Sequence, residues 1–433
     1  MAAKYLARNG LSVELVDIKD RENIGEKVCG DAIAKHHFLR VNLDFPSGDE
    51  LRSNVSGLAV YSPDNESALR VKGEGMTGFM IDRHKFGQRL LNEAISSGAR
   101  LHDKTRVVEA IVKEGQVLGV SAEDLRTGQT KTMHAPITID ASGYGGALRS
   151  KLPPDFNVEA NVETGDAIVA YREIRGNVNF ASDLSEIHLN QDAAPGGYYW
   201  IFDRGRGEVN VGLGVQTTPA NPNPKEHLYK YVLSQEFFKD SKLVEGGGGI
   251  VPTRRPLLSL VANGIMFIGD AACVVNPIHG GGIGPSMLSG KLAAETAIEA
   301  LEKHDLTREG LWGLNTAYMR TYGAKQAALD VFRMLLQPIS DEELNFGLRN
   351  ELVTSEDVLN ANTEGELKYS ISQKAMRGLR GIGRPRFLGR LKKTAELMRK
   401  AKQIYQEYPD PAGLESWKAR VDSIFSQRIY YQI

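Results

Sequence analysis

The chain has 433 residues, of which 41% are hydrophobic and 25% are charged, and its formal net charge is −1. This length predicts about two or three domains, and the near-neutral charge argues against nucleic acid as a partner. No apolar stretch is long enough to cross a bilayer or to act as a signal peptide, so we expect a cytoplasmic protein. The only cysteines, Cys29 and Cys273, exclude a disulfide scaffold and are too few for a structural zinc or iron–sulfur site.

The amino-terminal segment is typical of the second half of a helix followed by a strand. Met1–Asn9 has an apolar helical face, Gly10 ends the helix, and Leu11–Val16 forms a strand that leads to Asp17. In a dinucleotide-binding unit such an acid binds the adenosine ribose, about 20 residues after a glycine-rich turn. We therefore expect the first strand and its glycine loop to be missing. The alternatives are a start assigned downstream of the true one, which we favour, and a truncated copy.

A β-ribbon, a helix and a further strand are predicted before residue 150. Val55–Tyr61 and Ser67–Gly73 alternate in polarity as two strands of a ribbon do. Residues 79–97 predict an amphipathic helix that begins near Arg83, and Arg106–Val112 predicts a strand. We expect the helix to pack on a sheet and the ribbon to cover the substrate side.

From about residue 152 to residue 251 the pattern changes to long antiparallel strands. Side chains alternate between the two faces of a strand, so Tyr198, Trp200 and Phe202 project together. Such a stripe fits either a slot for a long apolar ligand or ordinary sheet core, and we favour the slot because two of the rings carry polar groups. The predicted strands are Ala167–Glu173, Glu186–Leu189, Gly197–Phe202 and Glu208–Gln216.

The segment from Ile265 to Leu301 contains the most specific motif of the chain. A short apolar strand ends on Gly269 and Asp270, where a carboxylate can accept hydrogen bonds from a ribityl chain. The glycine run Gly280–Gly284 lets backbone amides approach a planar ring and opens onto a helix N-terminus, which favours negative charge. Glycine clusters also occur in ordinary turns, but GDAA, Asn-Pro and GGG-x-G at this spacing favour a flavin site.

The carboxyl-terminal part is predicted to be helical and carries a basic segment. Its cationic side is suited to anionic lipid headgroups, and a solvated helix surface is an equally good interpretation. Nucleic acid is disfavoured because no binding motif accompanies the charge. Against the single acid Glu396, the segment holds Lys374, Arg377, Arg380, Arg384, Arg386, Arg390, Lys392, Lys393, Arg399, Lys400 and Lys402.

These motifs together resemble the geranylgeranyl reductase family, within the flavoproteins that resemble FAD-dependent aromatic hydroxylases. Val28–Ala32 resembles the cysteine–glycine segment that those reductases place beside the isoalloxazine, and Asp140–Gly143 resembles their D-A-S-G turn. Pro195–Phe202 is similar to their substrate-lining motif P-x-x-Y-x-W-x-F-P, with Asp203 at the place of the final proline. The helical tail also resembles that of archaeal digeranylgeranylglycerophospholipid reductases, so the resemblance covers most of the chain.

The resemblance implies FAD as the cofactor and reduction of the geranylgeranyl double bonds of archaeal-type membrane lipid precursors. The electron donor stays open between NAD(P)H and a ferredoxin. Cys29 is the candidate catalytic residue, with Tyr198, an ordered water and His279 as other proton sources. The expected cofactor contacts are Asp17, Cys29, Gly30, Ala32, Arg83, Val107, Asp270, Gly282 and Ile283, and the expected substrate contacts are Tyr198, Trp200 and Phe202. Arg83 and Val107 have plainer interpretations as a solvated helix start and a core residue.

The expected fold class is α/β (α+β), with a Rossmann-like FAD-binding domain interleaved with an antiparallel-sheet substrate domain. We assign the FAD-binding domain to residues 1–52, 79–150 and 252–300, the substrate domain to 53–78 and 151–251, and a helical region to 301–433. Two alternatives remain at this point: an FAD-dependent aromatic hydroxylase, and a truncated, non-catalytic protein that binds isoprenoid lipid. Contact with an anionic membrane surface is expected to be peripheral.

Overall fold

The structure is a computed structural model that describes residues 1–73, 75–366, 380–381 and 383–427. The helices in these ranges are α1 (Ala2–Arg8), α2 (Lys35–Arg40), α3 (Arg83–Ser96), α4 (Pro224–His227), α5 (Ile283–Glu302), α6 (Gly313–Tyr318), α7 (Ala324–Leu336), α8 (Asp341–Arg349), α9 (Ser355–Glu364), α10 (Pro385–Gln406) and α11 (Leu414–Phe425).

The strands in these ranges are β1 (Glu14–Val16), β2 (Ala32–Ala34), β3 (Leu51–Val55), β4 (Gly57–Tyr61), β5 (Ala68–Lys72), β6 (Gly78–Ile81), β7 (Arg100–His102), β8 (Thr105–Lys113), β9 (Gln116–Asp124), β10 (Thr130–His134), β11 (Thr138–Asp140), β12 (Ala167–Gly176), β13 (Leu184–His188), β14 (Tyr198–Gly205), β15 (Glu208–Gln216), β16 (Lys242–Pro252), β17 (Val261–Ala262) and β18 (Ile265–Phe267).

The parallel strands of the α/β part lie in two separate sheets within the described residues. β1 pairs with β7, and β11 pairs with β18, in both cases in parallel. The helices α1 and α3 contact each other, and α1 also contacts α5. Helix α3 begins at Arg83, near which the sequence predicts a helix start. Asp82 caps this end of the helix by accepting a hydrogen bond from the Lys85 N–H at 3.0 Å.

The prediction of helix over residues 79–81 is wrong. These residues belong to β6, which is fully buried and pairs with β2 on one side and β3 on the other. A short apolar run fits a buried strand as well as the start of a helix, and the choice depends on partners that lie far away in the sequence.

The substrate-side sheet has seven strands in the order β16-β12-β15-β14-β13-β4-β5. Its pairs are antiparallel except for β13 and β4, which run in parallel. The ribbon predicted from Val55 to Gly73 forms as the hairpin β4–β5. It extends this large sheet through β13 rather than standing as a separate cover. One face of β14 carries Tyr199 and Ile201 in a core with Leu228 and Phe238, and the opposite face carries the aromatic stripe.

The carboxyl-terminal helices build the largest core of the molecule together with β18 and α5. Helix α6 continues into α7 through a π-helical turn at Met319–Gly323, and α10 packs along α7. Trp417 of α11 is buried against the rings of Tyr405 and Tyr408. No helix among the described residues has the length and apolar character needed to cross a membrane.

The basic segment predicted from Lys374 to Lys402 is only partly described. Lys374 and Arg377 lie outside the described residues. Four other members form ion pairs with acids of this chain, namely Arg380 with Glu351, Arg384 with Glu342, Arg390 with Glu343, and Lys402 with Glu366. The exposed remainder, Arg386, Lys392, Lys393, Arg399 and Lys400, lies along the solvent side of α10.

Candidate flavin and substrate site

The turn after β18 places Asp270 at the carboxyl end of the parallel strands. β11 and β18 run in register and end together at Asp140 and Phe267, and Gly269–Ala272 then forms a 3₁₀ turn. Asp270 is buried, and its Oδ2 accepts a hydrogen bond from Lys27 Nζ at 2.7 Å. Ligands of open α/β sheets bind outside this end of the strands, so Asp270 lies where the sequence analysis expects a cofactor contact.

The glycine loop folds back onto Asn276 and leads directly into α5. The Gly280 N–H donates to the Asn276 carbonyl at 3.0 Å, and the Ile278 N–H donates to the Asn276 side chain at 2.9 Å. Gly282 lies against the Asp270 carboxylate, because a Cβ at Gly282 would be 3.3 Å from Oδ1. Helix α5 begins at the next residue with neither a side-chain cap nor an acid in its first turn. Its positive N-terminus is therefore open to an anionic ligand.

The cysteine segment is held against the substrate-side sheet by Asn210. The Asn210 Nδ2 donates to the Cys29 carbonyl at 2.8 Å and to Asp31 Oδ2 at 2.9 Å. Arg172 Nε also donates to the Cys29 carbonyl, at 3.2 Å, and Arg204 donates to Asp31 Oδ2 at 2.7 Å. Three strands, β12, β14 and β15, thus fix the position of a loop that lies between 143 and 181 residues earlier in the chain.

Asp31 has an unusual backbone and an unusual environment. Its φ is +63°, in the left-handed region that non-glycine residues rarely adopt, and its side chain is fully buried. Burial raises its pKa to about 6, against the lowering effect of Arg204. Backbone strain of this kind persists where surrounding contacts over-determine the conformation, and the bonds from Asn210 and Arg204 do so here.

The aromatic stripe of β14 lies between the sheet and the glycine loop. Tyr198 donates its hydroxyl to the His279 carbonyl at 2.7 Å, which ties the stripe to the loop. Trp200 donates its indole N–H to Asn210 Oδ1 at 2.9 Å, which ties the stripe to the cysteine segment. Successive ring centroids, from Tyr198 to Trp200 and from Trp200 to Phe202, are 6.0 and 6.2 Å apart. The structure therefore confirms the shared face that strand alternation predicts.

The Cys29 thiol and its neighbour Gly30 face the stripe. A Cβ at Gly30 would lie 3.0 Å from the ring of Phe202, so any other residue here would have to displace that ring by a few tenths of an ångström. Burial, and then the negative charge of Asp31, raise the pKa of Cys29 above its usual value. The side chain is therefore a neutral thiol at neutral pH, which can give up a proton but is a poor nucleophile.

His279 acts as a backbone cap in the glycine loop. Its Nδ1 accepts a hydrogen bond from the Gly281 N–H at 3.1 Å. Burial, and then the charge of Lys325, lower its pKa to about 4. His279 is thus neutral at neutral pH, which removes the imidazolium form that a proton donor would need.

The remaining predicted contacts occupy different parts of the α/β region. Asp17 follows β1 and accepts a hydrogen bond from the Lys19 N–H at 2.9 Å. Arg83, at the start of α3, lies close enough to Cys29 and Asp31 to lower the pKa of both side chains. Ala32 is exposed in β2, and Val107 packs against the largest core.

Sequence reasoning did not single out Asn210, Arg172, Arg204 or Lys27. A signal for Asn210 exists, because it is a polar residue among apolar ones in β15 and is fully buried there. Buried polar groups require hydrogen-bond partners, but the sequence does not say which. The partners become visible only when β15 and the cysteine segment are seen side by side.

The residues present fit a flavin. Among the described residues, buried Arg83 Nε has no hydrogen-bond partner, and the Arg83 charge lies close enough to Cys29 to lower the pKa of its thiol. The first turn of α5 offers backbone N–H groups to a negative ring edge, and Gly282 leaves room for the ring beside Asp270. Two contacts bring the expected cofactor residues together. Lys27, next to the cysteine segment, donates to Asp270, and Tyr198 donates to the glycine loop. The residues joined in this way are Asp270, Gly282, Ile283, Cys29 and Gly30.

Comparisons with known proteins agree with this arrangement. A family model described as the geranylgeranyl reductase catalytic domain matches residues 166–251. A digeranylgeranylglycerophospholipid reductase of Sulfolobus acidocaldarius is 40% identical over 98% of this chain and 94% of its own length. A protein of the same name from Methanothrix thermoacetophila is 30% identical over 86% of this chain and 92% of its own length.

Solved structures share the fold at low sequence identity. A geranylgeranyl bacteriochlorophyll reductase-like protein from Thermoplasma acidophilum has a TM-score of 0.75 and 22% identity, and the match covers 91% of this chain and 95% of that one. A myxobacterial chondrochloren halogenase, described as a variant of FAD-dependent halogenases, has a TM-score of 0.59 and 15% identity, with 88% and 94% covered.

The fold and the site are those of a mixed α/β flavoprotein, in which a glycine loop and the helix N-terminus that follows it lie beside the seven-stranded sheet. Within that class, the chain belongs to the digeranylgeranylglycerophospholipid reductase family. The resemblance drawn from the sequence motifs is thereby confirmed, as is the α/β (α+β) fold class.

Proposed function

We propose that this chain is an FAD-dependent reductase that hydrogenates the geranylgeranyl double bonds of archaeal-type membrane lipid precursors. The observation that carries the proposal is the bond from Tyr198 to the glycine loop, which sets the aromatic stripe against the flavin site. A flavin beside Gly282 and an apolar chain along the stripe would then be neighbours. Family membership favours this activity over aromatic hydroxylation and over a non-catalytic lipid-binding role.

Reduced FAD supplies a hydride to one alkene carbon when it is bound. The protein must hold an unactivated double bond close to the ring and exclude water, and Trp200 and Phe202 provide the apolar wall for this. A proton must reach the other carbon. Cys29 and Tyr198 are both protonated at neutral pH, because burial raises the pKa of each, so both can serve as its source.

The cofactor contacts are part of the same proposal. Asp270, Gly282 and Ile283 would hold the isoalloxazine and ribityl portion, and Cys29, Gly30 and Ala32 would border the ring. Asp17, Arg83 and Val107 would lie toward the adenosine end. The domain division of the sequence analysis, with residues 1–52, 79–150 and 252–300 around the cofactor, follows the same assignment.

Anaerobic turnover separates the proposal from a hydroxylase. FAD-loaded protein reduced by dithionite should saturate double bonds of a geranylgeranyl lipid, seen by mass spectrometry as two added hydrogen atoms per bond. A protein that leaves the lipid unchanged but consumes oxygen with a phenol is a hydroxylase. Separate reductions of the bound flavin by NADPH and by reduced ferredoxin, each monitored by the loss of flavin absorbance, identify the electron donor.

We also propose that α10 touches an anionic membrane surface from its solvent side. Arg386, Lys392, Lys393, Arg399 and Lys400 are exposed there, and basic side chains near such a surface contribute about 1 kcal/mol each. The variant K392E/K393E should lose binding to phosphatidylglycerol vesicles but not acquire binding to neutral ones. Equal sedimentation of this variant and the parent protein with anionic vesicles would remove the proposal.

A further inference from the structure

Asp31 holds one of its two carboxylate oxygens in the protein interior without a partner. Its Oδ2 accepts hydrogen bonds from Arg204 and Asn210, at 2.7 and 2.9 Å. Its Oδ1 is also buried, and among the described residues it has no hydrogen-bond partner. A buried acceptor of this kind is costly, because it has lost its water and gained no bond in exchange. The bonds from Arg204 and Asn210 therefore leave half of this carboxyl group without a structural explanation.

The local backbone keeps Asp31 next to the Cys29 thiol. The Asp31 N–H donates to Cys29 Sγ, with 3.3 Å between the nitrogen and the sulfur. The left-handed backbone at Asp31, with a φ of +63°, belongs to this turn. One side chain, Asn210, donates both to the Cys29 carbonyl and to Asp31 Oδ2. The residue with the thiol and the residue with the carboxyl group are therefore held in a fixed relation by the same strand.

The two side chains also influence each other electrostatically. Burial, and then the negative charge of Asp31, raise the pKa of Cys29, whereas the pKa of Asp31 is raised by burial only to about 6. The Asp31 carboxyl group is therefore a stronger acid than the Cys29 thiol, and a proton passes from it to a thiolate downhill in free energy. Other charged or ionisable groups face this pair from the elements packed against it. They are Arg172 of β12, Tyr198 and Arg204 of β14, Arg83 of α3, and Lys27 beside the cysteine segment.

We propose that Asp31 supplies the proton that restores the Cys29 thiol after each double-bond reduction. In the reduction, the S–H bond of Cys29 breaks and a C–H bond forms at the alkene carbon that does not receive the hydride. The O–H bond of Asp31 then breaks and the S–H bond forms again, and the carboxylate takes its next proton from solvent. Reduced flavin provides both electrons, so these two steps need no other reactant. Asp31 acts through Cys29, as a positioning residue for the proton, and the inference rests on the proposed function.

The chemistry of the substrate creates the need for such a proton supply. A geranylgeranyl chain has several double bonds, and each reduction consumes one proton, whereas a thiol can give its proton only once. Trp200 and Phe202 form an apolar wall on the substrate side, which limits the access of water from there. Repeated turnover therefore requires a proton from the protein side of the thiol. The unpaired Oδ1 of Asp31 is an acceptor on which that proton can rest.

The variant Asp31→Asn removes the proton and keeps the shape of the side chain. Asparagine tolerates left-handed backbone, and its amide oxygen can accept the bonds from Arg204 and Asn210. The FAD-loaded full chain is given excess geranylgeranyl lipid and dithionite without oxygen. Asp31→Asn should reduce one double bond per protein at the parent rate and then continue at least about tenfold more slowly. Asp183→Asn, which removes an exposed acid paired with Lys72, is the control and should keep the parent rate throughout.

Arg204→Gln provides a second variant that retains the proton. It removes the charge that most lowers the pKa of Asp31, so the carboxyl group should stay protonated to higher pH. Repeated turnover should therefore persist in Arg204→Gln. Loss of repeated turnover in this variant would assign the ion pair a structural role and overturn the inference, even if Asp31→Asn could not be purified in folded form.

Alkylation of Cys29 by iodoacetamide tests the link between the two groups without turnover. Peptide mass spectrometry of the alkylated protein distinguishes Cys29 from Cys273. Because the Asp31 charge raises the pKa of the thiol, Cys29 in Asp31→Asn should react about three- to tenfold faster at pH 8, and its rate profile should move to lower pH. Asp183→Asn should react like the parent protein. A gain of the same factor at every pH would indicate greater access to the thiol, and an unchanged profile would indicate no link; either result would remove the inference.

Failure of this inference and failure of the proposed function have different signatures. A parent protein that reduces no double bond removes the proposed function. Reduction by the parent protein, with Asp31→Asn keeping the parent rate through all turnovers, keeps the reductase and removes Asp31 as the proton supply. First and later turnovers that slow by the same factor in Asp31→Asn would also remove it, because they indicate a general disturbance of the site.

Discussion

Asn210 is the side chain on which the arrangement of the candidate site depends most. It accepts the Trp200 indole N–H at 2.9 Å and donates to both the Cys29 carbonyl and Asp31. In Asn210→Ala, the Cys29 carbonyl keeps Arg172 and Asp31 keeps Arg204. Only the buried indole N–H is left without an acceptor. The lost bonds and this orphaned donor together should cost about 2–4 kcal/mol of unfolding free energy.

A double-mutant cycle with Trp200→Phe isolates the orphaned donor. Phenylalanine has no N–H, so Asn210→Ala should cost about 1–2 kcal/mol less in the Trp200→Phe background than in the parent protein. Urea denaturation followed by circular dichroism measures all four proteins. Asn54→Ala, at an exposed position of β3, is the control and should stay within about 0.5 kcal/mol of the parent. Additive effects of the two substitutions would contradict the role of Asn210 as the acceptor of the buried indole N–H.

Further substitutions test individual contacts. Gly212 lies opposite Trp200 on the neighbouring strand, and a Cβ at Gly212 would lie 2.2 Å from the indole. Gly212→Ala should therefore displace the ring, lower the free energy of unfolding by about 1–3 kcal/mol and change the near-ultraviolet circular dichroism. Tyr198→Phe removes the bond to the loop and should weaken FAD binding by about tenfold in a flavin fluorescence titration, and unchanged affinity would contradict the role of that bond. Because burial raises the pKa of Cys29, the reduction rate should show no thiolate titration between about pH 6 and 8; an apparent pKa near 7 that disappears in Cys29→Ser would contradict this assignment. Burial lowers the pKa of Lys325 from 10.5 to about 7 in the folded protein. The Lys325 charge therefore destabilises the fold fully below pH 7 and no longer does so as the pH approaches 10.5. Lys325→Met should be more stable than the parent protein in thermal unfolding below pH 7, and this difference should shrink as the pH rises to 10.5.

Local sequence patterns were sufficient for the flavin turn and the aromatic stripe. Strand alternation fixes Tyr198, Trp200 and Phe202 on one face whatever the sheet order, and the composition of the glycine run Gly280–Gly284 permits a close backbone approach. Both features come from residues adjacent in sequence. For that reason they could be predicted without knowing the tertiary structure.

Features that join distant segments could not be predicted in this way. Asp31 and Arg204 are 173 residues apart, and nothing in either segment identifies the other as its partner. The same limit explains the assignment of Phe79–Ile81 to a helix, because β2 and β3 decide that it is a strand. It also explains the basic segment, where the sequence shows the charges of α10 but not the acids of α8 that pair with Arg384 and Arg390.

The proposed reduction at the aromatic stripe can be tested by anaerobic turnover of a geranylgeranyl lipid by the dithionite-reduced, FAD-loaded protein, compared with the Trp200→Ala variant. We expect flavin reoxidation to accompany the gain of two hydrogen atoms per double bond, and removal of the indole to slow this step without releasing FAD. A flavin that stays reduced in the presence of the lipid, while the parent protein binds both, would contradict it.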